Sequence, residues 1–132
     1  MLKKIILPTV LIFIAWTFMD FILHVIILKS QYETSLQLWR PMNEMKMGLM
    51  HFVTLITALG FVWIYAFLIT EKTLAKGLKF GFWFGLTTGV SMGYGSYSVM
   101  PIPYLMALGW FLGTLVETMI AGSIVGRLIK ST

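Results

Sequence analysis

Two histidines, two carboxylates inside apolar runs and a cluster of methionines are the residues here whose types and spacing suit chemistry. Asp20 and His24 are four apart, so on a helix they share a face. A carboxylate beside an imidazole fixes its tautomer, for metal binding or for passing a proton. His51 opens the next apolar run, with Met42, Met45, Met47 and Met50 just before it. Thioethers and imidazoles without thiolates suit Cu(I), so Asp20, His24, His51 and these four methionines form a candidate metal site. His24 and His51, on different helices at similar depth, also have the placement that axial ligation of a b-type haem requires. Glu117 stands about 20 Å into the last apolar run at 1.5 Å per residue, where an ionisable group must face protein and marks a proton or cation site. Its level on the preceding run is near Leu86, which predicts hydrogen bonds from Thr87, Thr88 and Ser91. On the same arithmetic it lies about 14 Å deeper than His24, too far to share one ion.

The stretch from Met42 to His51, taken with the glycine-rich third run, resembles the methionine motifs and small-residue helix of eukaryotic high-affinity copper transporters. The likeness covers only these residues, and helix number and motif order differ. It implies copper(I) as the ion at the methionine and histidine mouth; with Glu117 deeper in, a proton is the second choice for the cation.

These groups sit in a chain of 132 residues that is 58% hydrophobic and 11% charged, against roughly 25% charged in a soluble domain. A water-soluble monomer is excluded, and the length leaves room for one transmembrane domain, 1–132. A crossing takes about 20 mostly apolar residues, and four stretches qualify: about 5–28, 48–70, 80–99 and 104–128. The first continues through Asp20 and His24 well beyond a signal-peptide core of about 7 to 15 residues, so it reads as a retained helix that tolerates Pro8. The expected fold is all-α, an antiparallel bundle of four transmembrane helices with a short interfacial helix between the first two. That segment, 30–40, opens with Ser30 and Glu33 at capping-box spacing and would lay Tyr32, Leu36 and Trp39 on the bilayer surface. Met100-Pro101-Ile102-Pro103 forms a tight turn before the last helix.

Seven Lys and Arg (Lys3, Lys4, Lys72, Lys76, Lys79, Arg127, Lys130) fall on the side of the termini, against Lys29, Arg40 and Lys46 opposite. The positive-inside rule then puts both termini in the cytoplasm, in an inner (cytoplasmic) membrane, and accounts for the net charge of +5 without nucleic acid as a partner. Cysteine is absent, which removes disulfide and thiolate chemistry.

Gly77, Gly81, Gly85, Gly89 and Gly93 keep a four-residue step along the third helix, a face on which backbones approach closely. Gly109 and Gly113 share a row with Glu117 on the fourth, and the two small faces are expected to meet. No nucleotide loop, nucleophile elbow or zinc-protease helix is present. The residues read as a non-enzymatic membrane protein that binds or conducts a small cation, acting with the lipid bilayer as a homo-oligomer or as part of a larger membrane complex. The alternative is an accessory subunit of a respiratory or transport complex, with or without haem b on His24 and His51. An intramembrane enzyme using Asp20, His24 and His51 is a third reading.

Overall fold

The computed structural model describes residues 2–131, which are all-helical with no strand among them. Helix α1 (Leu2–Asp20) runs on through wider π-helical turns at Phe21–Ile27 into the short α2 (Lys29–Glu33). Two single 3-10 turns, Leu36–Leu38 and Met42–Glu44, lead to α3 (Met47–Leu68). Helix α4 (Leu74–Val90) passes through a π-helical stretch, Ser91–Gly95, into α5 (Ser96–Val99), and the Met100–Pro103 turn delivers the chain to α6 (Tyr104–Leu128). Three helical stretches are long and apolar enough to cross a membrane: Leu2–Ile27, Met47–Leu68 and Tyr104–Leu128. The α4–α5 stretch is helical over a similar length but carries two lysines and six glycines and serines enough to lower its hydropathy.

Its start differs from expectation. Thr73 caps α4 by accepting a hydrogen bond from the Lys76 amide at 3.1 Å, so the helix begins at Leu74 rather than near residue 80. Pro8 lies buried inside α1, and the neighbouring Thr9 hydroxyl donates to the Ile5 carbonyl at 2.7 Å. Segment 30–40 is not one surface helix. Ser30 bonds sideways to Gln31 instead of capping, and Tyr32 and Trp39 fold inward onto Trp110 while Leu36 stays exposed. Burying two large rings against α6 outweighs laying them flat, because Trp110 and Ser35 satisfy their polar tips.

Helices α4 and α6 make the most extensive pairing, and α1 packs on both α3 and α6. The glycines of α4 and of the π-helical stretch after it face α6 so closely that an added Cβ at Gly77 would strike the Gly122 carbonyl, at Gly81 that of Thr118, and at Gly93 that of Ala107. The α6 row that meets them is Thr118, Gly122 and Gly126. Gly109 and Gly113, expected on that interface, instead receive Leu28 and Leu23 from the π-helical continuation of α1 and its end. Two rows one residue apart on a helix point about 100° apart, so α6 serves α4 with one row and α1 with the other.

Two apolar clusters result. At the end holding both termini, Ile12, Trp16, Phe61, Val62, Tyr65, Ala121 and Val125 pack together. Lys72 tightens that end by donating to the Tyr65 and Ile69 carbonyls that α3 leaves unpaired, and partial burial holds its pKa below the ordinary lysine value. At the other end, here called the cap end, Leu28, Ile102, Met106, Ala107 and Trp110 are covered by Tyr32, Leu38 and Trp39. The first half of α3 joins neither cluster: from Met47 to Thr57 only Thr54 is even partly buried.

Replacing Gly81 by Ala forces α4 from the Thr118 carbonyl and should cost about 1–3 kcal/mol, the usual range for overpacking. Gly60→Ala, in open space on α3, should be neutral or stabilise by up to about 1 kcal/mol. Thermal unfolding in mild detergent checks this, and equal melting temperatures for the two variants would contradict the backbone contact.

Candidate functional site

The polar side chains of the helices converge in the seam between the two apolar clusters. Trp16, the last buried residue of the α1 stripe, donates from Nε1 to the Glu117 carbonyl at 2.8 Å, which sets the register of α1 against α6. One turn further along α1, Asp20 stands on the same face as Trp16, toward the cap end, the direction in which the Glu117 side chain leans from α6. Glu117 Oε1 is buried with no hydrogen-bond partner, as is the neighbouring Thr17 hydroxyl. The expected donors do not reach it: Thr87 and Thr88 bond back to carbonyls of their own helix at Trp83 and Phe84. The cause is the row assignment on α6, since Glu117 shares the row of Gly109 and Gly113 and turns with it toward α1.

His24 is one turn beyond Asp20, inside the π-helical stretch, and its Nε2 lies 3.7 Å from Asp20 Oδ1. This pairing is as the spacing predicts. Its other nitrogen, Nδ1, is 2.7 Å from the Tyr32 hydroxyl, and that hydroxyl is 3.1 Å from Trp110 Nε1. An indole N–H only donates, so the Tyr32 oxygen accepts from Trp110; with Asp20 beside Nε2, the tautomer that pairs both ring nitrogens puts the imidazole proton on Nε2 and takes the Tyr32 proton at Nδ1. Nδ1 is then the acceptor, and neutral His24 carries its proton on Nε2, facing Asp20. Burial raises the Tyr32 pKa, with the Trp110 hydrogen bond opposing and the Asp20 charge adding to it, so the phenol keeps the proton this role needs. Trp110, Tyr32 and His24 thus form a one-way series of hydrogen bonds ending at His24 Nδ1, with the Asp20 carboxyl 3.7 Å beyond Nε2. The rings also pack edge to face, His24 at 5.8 Å from Tyr32 and 6.5 Å from Trp110.

His51 does not join this group. It is exposed in the first turn of α3, and His24 spends its contacts on Tyr32, Trp110 and Asp20. The pairing of His24 with His51 for haem or metal is therefore not formed, because the half of α3 that carries His51 leaves the bundle. Met42, Met45, Met47 and Met50 are likewise exposed, Met42 by 85%. Among the described residues no group of three or more His, Asp or Glu is placed to hold a metal ion. Tyr32, Trp110 and Trp16 are the contributors that spacing alone did not single out. Trp16 was within reach, standing four residues before Asp20 on one face, whereas Tyr32 and Trp110 meet His24 only through the fold-back of residues 29–39.

Nitrogen-15 shifts of labelled His24 should report the Nε2–H tautomer in the neutral ring. Tyr32→Phe should shift the population toward Nδ1–H and cost about 1–3 kcal/mol for the donors and acceptors left unpaired. An unchanged tautomer ratio would sink the series. Comparison with known proteins finds no match for this chain, whether among protein families, curated proteins or solved structures.

Proposed function

We propose that this chain is a non-catalytic integral membrane protein that crosses an inner membrane four times and holds a proton, or a small cation in its place, between Asp20 and Glu117. The observation that carries the reading is the buried, unpartnered Glu117 oxygen between the two apolar clusters, on a helix held in register beside Asp20 by the Trp16 bond. Adjacent carboxylates in such surroundings do not both ionise unpaired: they share a proton or bracket a cation. His24 stands next in line, its proton directed to Asp20, and extends the site toward the cap end. The α4–α5 stretch supplies the fourth crossing, drawn in by its glycine contact with α6. Both termini and the Lys72–Lys79 stretch gather the larger share of basic residues, which favours a cytoplasmic terminal end.

Copper(I) at the methionines is the lesser reading, since those sulfurs are exposed and apart from His24. A second reading, in which the chain is an accessory subunit or homo-oligomer, draws on the bare first half of α3, an apolar surface free to meet another helix.

Infrared difference spectra across a pH step in lipid should show a protonated-carboxyl band that Glu117→Gln removes and Asp20→Asn shifts. In proteoliposomes, either substitution should lower proton or monovalent-cation movement by about tenfold or more, in line with the loss of a positioned acid–base group. Spectra identical in the wild type and both variants would overturn the reading. Stoichiometric copper in the purified protein, lost on replacing Met45, Met47 and Met50 by Leu, would establish the methionine site instead.

A further inference from the structure

The polar seam has a floor and no roof on one flank. Its floor is a set of four touching aromatic rings from three helices: Trp16 of α1 lies 5.9 Å from Phe61 of α3, and Phe61 lies 5.1 Å from Phe84 and 4.5 Å from Phe80 of α4. All four pack in or against the terminal-end cluster. One helical turn toward the cap end from three of these rings comes a polar residue: Asp20 four after Trp16, Thr57 four before Phe61, Thr88 four after Phe84. Residues four apart share a face, and α3 runs opposite to α1 and α4, so these three stand at one level, a turn above the Trp16 ring that the Glu117 carbonyl holds.

A level so built would be sealed if the outer halves of α3 and α4 closed over it. They do not. Thr57 and Thr88 are exposed, and α3 stays bare from Met47 up to that level. Asp20 and His24 keep 38% and 32% of their side-chain surface exposed although they continue the buried stripe of α1. A carboxylate left so open in the middle of an apolar helix faces either hydrocarbon, at high cost, or water.

We propose that the outer halves of α3 and α4 bound a water-filled cleft that opens to the cap-end side only, through which a proton or hydrated monovalent cation reaches Asp20 and Glu117. Thr57 and Thr88 line its walls, and the rings of Trp16, Phe61, Phe80 and Phe84 close it toward the terminal end. The Tyr32 fold-back covers the flank against α6 and leaves the α3 flank as the entrance. The role given to the cleft rests on the proton or cation reading of the carboxyl pair, but its existence can be tested without that reading.

Because the chain has no native cysteine, single substitutions report accessibility directly. Thr57→Cys and Thr88→Cys, in the full chain in sealed vesicles, should react with a charged, membrane-impermeant thiosulfonate from the cap-end side alone. The rate should exceed that of Val116→Cys, exposed on α6, by about tenfold or more, because a charged reagent is excluded from hydrocarbon. Both sites are exposed, so folding should survive; a permeant maleimide and size-exclusion profiles verify that each thiol is present in intact protein. Rates no higher than at Val116→Cys, or labelling from the terminal-end side, overturn the cleft. A labelled cleft with pH-difference spectra unchanged in Glu117→Gln overturns the carboxyl reading while the cleft stands.

Discussion

The near contact of the α4 and α6 backbones is the constraint from which the rest of the arrangement follows. With glycine at every fourth position of α4 and Thr118, Gly122 and Gly126 opposite, the two helices approach until a single added carbon would meet a carbonyl. Lipid offers no hydrophobic reward for such pairing, so it is held by dispersion over a long seam and by weak Cα–H···O contacts. Because this uses one row of α6 and turns it away from α1, the adjacent row is committed to α1. Leu23 and Leu28 then occupy the hollows at Gly113 and Gly109, and Glu117, on the same row, arrives beside the α1 face that carries Asp20. The placement of the acid pair is thus a by-product of how two other helices touch.

The second organising element is the direction of the hydrogen bonds at the cap end. Trp110 can only donate, Tyr32 relays, and His24 receives on Nδ1, so the indole N–H on one flank and the Asp20 carboxyl on the other together set which nitrogen of His24 carries its proton. The array needs residues 29–39 folded back, and the Ser35 hydroxyl holding the Trp39 indole at 3.0 Å is part of what keeps them there. The loop between the first two long helices is therefore part of the site rather than a tether beside it.

Much of this was legible in the residues. The helical class, three long apolar stretches, the proline turn, the small face of α4 and the Asp20–His24 pair all follow from local periodicity and residue type, which the fold preserves. What was not legible depends on rotation about helix axes. Gly109 and Gly113 on one row and Thr118, Gly122 and Gly126 on the next both offer small faces, and no local rule says which turns to α4; Cβ clearance decides it only once both helices are in place. The same ambiguity misassigned the neighbours of Glu117. His51 failed for another reason, since periodicity shows that a helix is apolar but not that half of it stands away from its bundle. Tyr32 and Trp110 are far apart in sequence, and only the reversal of the chain brings them to one hydroxyl.

Helix α3 is gripped through Ala58, Phe61, Val62 and Tyr65 and otherwise unattended. A helix fastened along one half behaves as a cantilever: its anchored half shares the stability of the whole, while the inclination of its free half answers to its surroundings. In a bilayer that inclination tracks hydrocarbon thickness, so lipid of different chain length would tilt the exposed half, Met47 to Thr57, while Ala58, Phe61, Val62 and Tyr65 hold the other. The same sequence would then present a wider or narrower mouth according to the membrane that holds it.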